Sequence, residues 1–566
     1  MKIKEHINKI INDALQKTSI ELDSVTVTEA TKVEFGDYQF NGIMPLAKTL
    51  KRNPRDIATE VVSSIKTNGA ISKVEVAGPG FINIWLSDEW LSSQASTLLQ
   101  DDRLGIATRE KPSRVVVDYS GPNMAKQMHV GHLRSTIIGD TLSNLLAFLG
   151  DEVIRQNHIG DWGTQFGMLI AYLEEIEDQS ASENLVDLEQ FYKDAKGRFD
   201  AEPDFATKAR EYVVKIQSGD EHCLKLWRQF IDISLGHCEE IYDKLSINLG
   251  RDDVRAESFY NDRLPLVVKH LEKMGKIEVS DGAKCVFFED DDMPTIVQKG
   301  DGGYLYATTD LAALWYRSEV LGANRISYVV DARQAKHFKQ VFRIAKESGL
   351  VDSSVLLEHV AFGTMMDKSG RPFKTRDGGT VKLADLLDEA VVRAKDAITA
   401  KDEYDEEALD RLAHTIGIGA VKYSDLSINR ESNYIFDWDK MLSLEGNTSL
   451  YQQYAYARIM SIFRKYDGEL GAKIEIGDEI EHRLVLLLVR FEDILQKAAN
   501  DASPHQITTY LYSLTTLFMR FYESNPILKE GIDKSTRDSR LAIALLTAKT
   551  IKRGLSILGI GVVDKL

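Results

Sequence analysis

Cysteine is scarce in this sequence, with three in 566 residues. So few thiols cannot build a disulfide framework, and they point to a reducing compartment. Long apolar runs are missing too. The longest are short, such as residues 484–489 (LVLLLV), far below the ~20 residues that a membrane-spanning helix needs. The opening stretch, MKIKEHINKIINDALQK, mixes Lys, Glu and Asp and has no apolar signal core. The expectation is a cytoplasmic protein with no membrane partner. Neither an internal repeat nor a low-complexity tract is present. A basic excess is also lacking: Lys+Arg 70 against Asp+Glu 87 give a net charge of −17, the wrong sign for a general nucleic-acid binder.

That deficit is uneven. Residues 1–110 carry 13 basic and 15 acidic side chains, residues 447–566 carry 16 and 14, and the centre carries 41 and 58. Residues 534–553 hold six basic side chains and one acid. Nearly neutral ends beside an acidic centre fit a polyanion that touches the ends, and fit equally well with no polyanion at all. A hydrophobic share of 43% and a charged share of 28% exclude disorder, and the length predicts three or four domains.

The hydrophobic periodicity divides the chain into three. Residues 1–110 read as a small α/β domain. Ile3, Ile7, Ile10, Ile11, Ala14 and Leu15 recur at helical spacing, residues 47–64 predict a second helix, and VEVAGPGFINIWL (74–86) predicts two strands or one bent strand around its Gly-Pro-Gly break. Residues 111–446 read as α/β with a doubly wound parallel sheet. RVVVDY (114–119) is a β-branched run of the kind that such sheets bury on both faces. Further strands are expected at 152–156, 285–288 and 326–331, with a helical insertion over about 164–250. Residues 447–566 predict an all-α bundle, with one stripe from Leu484 to Leu495 and another from Ile507 to Phe521.

The sharpest chemical feature is VVVDYSGPNMAKQMHVGHLRSTIIGD, residues 115–140. A buried-type strand ends in Asp118, a Ser-Gly-Pro-Asn turn follows, and His129, Gly131 and His132 open a helix. Free N–H groups and the positive dipole end at a helix start favour phosphate. Two histidines three apart can donate to phosphoryl oxygens as charge develops. Gly131 removes a side chain, which lets a flat ring such as adenine lie against the backbone.

PNMAKQMHVGH resembles the HIGH signature of class I aminoacyl-tRNA synthetases, and its surroundings are similar in detail to the arginyl-tRNA synthetases. The resemblance continues through HIGDWGTQFG (158–167), YLYATTDLA (304–312), DARQAKHFKQ (331–340), GRPFKTRDGGTVKLADLLDEA (370–390) and QQYAYARI (452–459) to LLTAKTIKRGLSILGI (545–560). It implies a Rossmann-like catalytic domain, an N-terminal α/β domain at the tRNA D-loop, and a helical anticodon-binding domain. It also implies an ATP-dependent arginine–tRNA ligase, with ATP as substrate, Mg²⁺, tRNA(Arg) and L-arginine as partners, and action as a monomer. In this family the first step typically needs bound tRNA.

By that resemblance, Asp118 and Asp310, with Tyr306 beside them, grip the substrate guanidinium. A planar fork of donors calls for carboxylates, whereas lysine is only a point charge. Asn123 and Gln334 hold the amino-acid backbone. His129, His132, Gly131, Pro122 and Lys126 take ATP, and the two histidines with Lys126 stabilise charge on its phosphates. The second class I signature, KMSKS, is degraded to Arg371-Pro372-Phe373-Lys374-Thr375-Arg376. Lys126 is then the candidate replacement cation, with Lys374 and Arg376 sharing the work. Phe81 and Asn83, two apart on a strand, are D-loop candidates that share a face. Tyr451, Tyr454 and Arg458 suit splayed anticodon bases, and Lys549, Lys552 and Arg553 suit phosphates.

Three look-alikes carry less. His158-Ile-Gly-Asp161 lacks the second histidine and lines a cleft. Lys368-Ser369 lies too early in the matched segment to be the second signature and reads as solvated loop. His222-Cys223 and His237-Cys238 are ~22 Å apart on a helix, too far for one ion, so no metal site is expected. Two other readings stay open at this point: a class I synthetase for another amino acid or a related nucleotidyltransferase, and a synthetase-like RNA-binding or regulatory protein without catalysis.

Overall fold

A computed structural model of the chain describes residues 2–566 except 19, 21, 23, 68, 125, 177–187, 374–380 and 399–403. It divides into two compact units. One comprises Met1–Ala107, Leu444–Ser556 and Gly561–Leu566; the other comprises Thr108–Ser443 and Ile557–Ile560.

In the first unit, strands β1 (Val27–Glu29), β2 (Tyr38–Phe40), β3 (Ile71–Ala77) and β4 (Phe81–Leu86) form an antiparallel sheet in the order β1-β2-β4-β3. Helix α1 (Ile3–Lys17) buries Ile3, Ile7, Ile11, Ala14 and Leu15, the stripe that its periodicity predicts. The expected helix over 47–64 is instead two helices, α2 (Ile43–Leu50) and α3 (Pro54–Ser64). The break follows from local chemistry: Lys51 is left-handed at φ 50°, the Asn53 side chain caps α3, and Pro54 starts it. The Gly-Pro-Gly break separates two strands, and a side chain at Gly80 would press on the Pro54 carbonyl. Helix α4 (Asp88–Gln100) follows, capped by Ser87.

The same unit holds the helices Ser449–Arg464, Glu479–Val489, Phe491–Asn500 and His505–Ser524 and most of Lys534–Ile557. Ile507, Leu511, Leu514, Phe518 and Phe521 are fully buried. His482 bridges Asp88 and Asp37, and Arg490 donates to the Tyr38 hydroxyl and the Asp37 carbonyl. Both ends of the chain therefore make this unit together.

In the second unit a parallel sheet runs β11-β10-β5-β6, built from β5 (Arg114–Asp118), β6 (Glu152–Gln156), β10 (Arg325–Tyr328) and β11 (Leu356–His359). Val115, Val116 and Val117 of β5 are fully buried, as a strand covered on both faces requires. Helix α5 (Val130–Phe148) connects β5 to β6 on one side, whereas β10 and β11 extend the sheet on the other. The strand order thus reverses between β5 and β10, and a crevice opens outside the carboxyl ends of these two strands.

The helical insertion is present as α6 (Thr164–Glu175) and the helices Leu188–Ala201, Pro203–Gln217 and Glu221–Leu245. The predicted strand at 285–288 exists but lies outside the parallel sheet. It is part of β8 (Ala283–Phe288), in an antiparallel insertion with β7 (Glu278–Ser280) and β9 (Asp291–Gln298). Strand β10 stops at Tyr328, short of the expected Asp331, and Asp331 caps the short turn Ala332–Gln334 instead. No described helix is long and apolar enough to cross a membrane.

Candidate active site

His129 is the N-cap of α5, in extended backbone conformation. Its Nδ1 accepts from Gly131 N–H at 3.1 Å, and His132 Nδ1 accepts from His129 N–H at 3.1 Å. With both Nδ1 atoms accepting, each neutral ring carries its proton on Nε2, free to donate. The rings lie 4.0 Å apart. Burial, and then the charge of its neighbour His129, pushes His132 down to about 3; burial and Lys126 push His129 down as well. The pair is neutral at physiological pH. A Cβ on Gly131 would lie 2.8 Å from His129 Cε1, so the room that the missing side chain leaves is filled here by the His129 ring itself.

These histidines line a cavity of about 860 Å³ at the reversal point between β5 and β10. Its other walls include Asp118, Asn123, Glu257, Tyr306, Asp310 and Gln334. The two expected carboxylates are therefore in one cavity with the two imidazoles, and each carboxylate already has an internal partner. Asp118 Oδ2 accepts from the fully buried Arg317 at 2.8 Å, and its Oδ1 accepts from His158 N–H at 3.3 Å. Arg317 also donates to Gln156 at 2.6 Å and sits 4.8 Å from the Tyr328 ring centre. It projects from a π-helical turn, Tyr316–Val320, that continues helix Tyr306–Trp315. Asp310 Oδ2 meets His337 Nε2 at 2.6 Å. Tyr306, one helical turn before Asp310, is 64% exposed. Asn123 sits against Gly160, where a Cβ would collide with its Oδ1. Gln334 is exposed at the end of the turn that Asp331 caps.

Glu257 is a site residue that no pattern in the sequence marks. It opens the 3₁₀ stretch Glu257–Arg263. Burial, then Asp161 and Asp310, raises its carboxyl to about 7. Asp161 of the look-alike motif is taken by Ser258, through both backbone and hydroxyl, while His158 lines the cavity and stacks on Tyr260. One turn into α5, the buried Arg134 pairs with Asp425 at 3.0 Å and donates to the Gly363 and Ser432 carbonyls. This ties the start of the helix to the far wall.

Other expected residues are not among those that line the cavity. Pro122 is buried, and its carbonyl accepts from Gly160 N–H. Lys126 is exposed, with Nζ 4.9 Å from the Tyr192 ring centre. Lys374 and Arg376 lie outside the described residues. Lys368 is held by Asp437 at 3.1 Å on the surface. Cys223 and Cys238 are buried on the single helix Glu221–Leu245, and His222 meets Glu174.

In the first unit, Phe81 is half-buried on β4. Asn83 is buried, its Oδ1 accepting from Gln39 at 2.8 Å. Tyr451 and Tyr454 are half-buried. Arg458 donates to the Tyr454 hydroxyl and lies 5.0 Å from the Tyr522 ring centre. Lys549 donates to the Leu99 carbonyl and Arg553 to that of Asp102, while Lys552 is exposed.

Three family descriptions match: "Arginyl tRNA synthetase N terminal domain" over residues 2–86, "tRNA synthetases class I (R), catalytic domain" over 94–438, and "DALR anticodon binding domain" over 452–566. The chain is 51% identical over 565 residues to the arginine–tRNA ligase of Alteromonas mediterranea, covering 98% of each. It is 50% identical over 582 residues to that of Hahella chejuensis, covering 100% of each. Among solved structures it is similar to the arginyl-tRNA synthetase of Plasmodium falciparum, with a TM-score of 0.89, 32% identity and 100% of both chains covered. The Thermus thermophilus arginyl-tRNA synthetase shares the fold, with a TM-score of 0.84 at 23% identity and full coverage of both chains.

Proposed function

The chain belongs to the class I arginyl-tRNA synthetases, and from that premise we propose how its own residues divide the work of an arginine–tRNA ligase. The enzyme activates L-arginine with ATP and transfers it to the terminal adenosine of tRNA(Arg), releasing AMP and pyrophosphate. In the first step the arginine carboxylate attacks the α-phosphate. Charge grows on the phosphoryl oxygens, and the Nε2–H groups of His129 and His132 donate to it. Both rings are neutral beforehand and pinned through Nδ1, so the donors need no reorganisation as the reaction proceeds. No side-chain nucleophile is required; positioning and electrostatics carry the step.

The guanidinium enters beside Asp310 and Tyr306, with Glu257 as a third carboxyl that ionises as the cation arrives. Asp118, already bound to Arg317, shapes this pocket as one half of a buried ion pair. Asn123 and Gln334 take the amino and carboxylate groups of the substrate. Mg²⁺ screens the triphosphate. The ion is carried in by the phosphates it screens, as Mg²⁺ usually is. Lys126, and with it Lys374 and Arg376, serves the pyrophosphate side where the usual signature lysines are missing. A ribose hydroxyl of the terminal adenosine, the 2′-OH by the class pattern, then takes the arginyl group.

Residues 1–110 meet the D-loop through Phe81, with the buried Asn83 behind it held by Gln39, and residues 447–566 meet the anticodon loop through Tyr451, Tyr454 and Arg458. Lys549, Lys552 and Arg553 lie along the phosphates. The enzyme acts as a monomer, and three cysteines in a translation enzyme support a cytoplasmic setting.

The observation that carries this reading is that two pre-oriented imidazole donors and Asp310 line one cavity. Asp310→Ala tests it by pyrophosphate exchange with tRNA present. The arginine KM is expected to rise at least about tenfold, the value of a charged hydrogen bond, while the ATP KM stays unchanged. Equal changes in both would move Asp310 out of the pocket. Aminoacylation of total tRNA with twenty labelled amino acids tests the substrate directly.

A further inference from the structure

Helix Ala335–Glu347 begins immediately after Gln334, and its first turn carries His337. His337 Nε2 lies 2.6 Å from Asp310 Oδ2. An ionised carboxylate only accepts, so this nitrogen carries the proton and donates. The ring also packs 4.6 Å from the Tyr306 ring and stands edge-on to Phe338 at 5.0 Å. The side chains of His337 and Asp310 are each 14% exposed. His337 thus touches both residues of the guanidinium side of the cavity, and it sits one helical turn from the residue at the backbone side.

We propose that His337 is a positioning residue for arginine selection: it fixes the plane of the Asp310 carboxylate and the tilt of the Tyr306 ring so that a guanidinium fork is met edge to edge. This rests on the reading of Asp310 as a guanidinium ligand. A carboxylate has four acceptor directions. His337 takes one on Oδ2, and the three that remain belong to a side chain that lines the cavity. A planar fork needs both oxygens in a set orientation, whereas a point charge such as an ammonium needs only proximity. Freezing the carboxylate before the substrate arrives removes an ordering cost from binding. Loss of His337 should therefore weaken arginine more than lysine, and with that the discrimination between them.

The test is pyrophosphate exchange by the full-length enzyme with tRNA(Arg) present, comparing wild type with His337→Phe, His337→Ala and His337→Gln. His337→Phe keeps a ring against Tyr306 and Phe338 and removes only the donor. His337→Gln places an amide N–H where imidazole Nε2 stood. His337→Phe and His337→Ala are expected to raise the arginine KM about tenfold to a hundredfold, with the ATP KM within about twofold of wild type. His337→Gln is expected to recover most of the loss, and the preference for arginine over lysine should fall in step with the arginine KM. A wild-type arginine KM in His337→Phe, a parallel rise in the ATP KM, or no recovery with His337→Gln would overturn the proposal. Asp310→Ala, run alongside, separates the two levels. If it leaves the arginine KM unchanged, the reading of the pocket itself falls. If it raises that KM and the His337 variants do not, only the role of His337 falls.

Discussion

Gly131→Ala separates what the start of α5 does for folding from what it does for chemistry. The backbone at Gly131 is helical and not left-handed, so alanine is conformationally welcome and contributes up to ~1 kcal/mol of helix propensity. The new Cβ, however, would sit 2.8 Å from His129 Cε1 and 2.9 Å from Nδ1. The imidazole must swing away, which breaks the bond from Gly131 N–H to His129 Nδ1 and with it a cap contact worth ~1 kcal/mol. The two terms nearly cancel, and the melting temperature should hardly move. The displaced ring no longer aims Nε2–H at the phosphates. Loss of one pre-oriented donor of this kind costs ~10²–10³ in rate. The expected result is therefore pyrophosphate exchange slowed by about two to three orders of magnitude, with the arginine KM nearly unchanged because Asp310 and Tyr306 are untouched. Wild-type exchange in a folded variant would refute the assignment of His129. A collapse in melting temperature would refute the packing argument.

Gly160→Ala should push Asn123 out of place and raise the arginine KM; combined with Asn123→Ala it should add little, because the two changes act on one contact. His482 gives a pH prediction. Burial alone would lower its pKa, but Asp37 and Asp88 raise it to about 9. A folded-state value above the unfolded ~6.5 means that its stabilisation, ~3 kcal/mol at most, is complete below about pH 6.5 and lost as pH climbs through 9. The melting-temperature gap between wild type and His482→Gln should be widest near pH 6 and close by pH 10; a gap that widens with pH would contradict the clasp. Phe81→Ala should slow charging of tRNA(Arg) with only a small change in melting temperature, since Phe81 is half-buried; a large drop would mark it as core.

The elements that were legible in the sequence are those that local pattern dictates. The valine run of β5, the stripe of α1 and the histidine-bearing helix start could be read from a few residues each. What was hidden depends on pairings across long stretches of chain. Asp118 finds Arg317 and Asp310 finds His337 only because strands and helices bring them together. Neither pairing leaves a trace in spacing, although His337 lies inside the quoted stretch DARQAKHFKQ. Glu257 was invisible for the same reason: its raised carboxyl is made first by burial and then by two other acids from distant segments. The strand at 285–288 was recognisable as a strand and misassigned to a sheet, because alternation reports local conformation and carries no address of a partner.

The unit assembled from both chain ends has a consequence for biosynthesis. Its first hundred or so residues leave the ribosome long before their partners. Asp37 and Tyr38 wait for Arg490, and the Leu99 carbonyl waits for Lys549. More than three hundred residues of the other unit are made in between, which at ~5–20 residues per second takes tens of seconds. During that interval the nascent α/β segment keeps an unpaired apolar flank, and the intervening unit has time to fold first. A premature stop soon after residue 450 would thus leave a catalytic unit lacking only Ile557–Ile560 and a leading segment with none of its late-made partners.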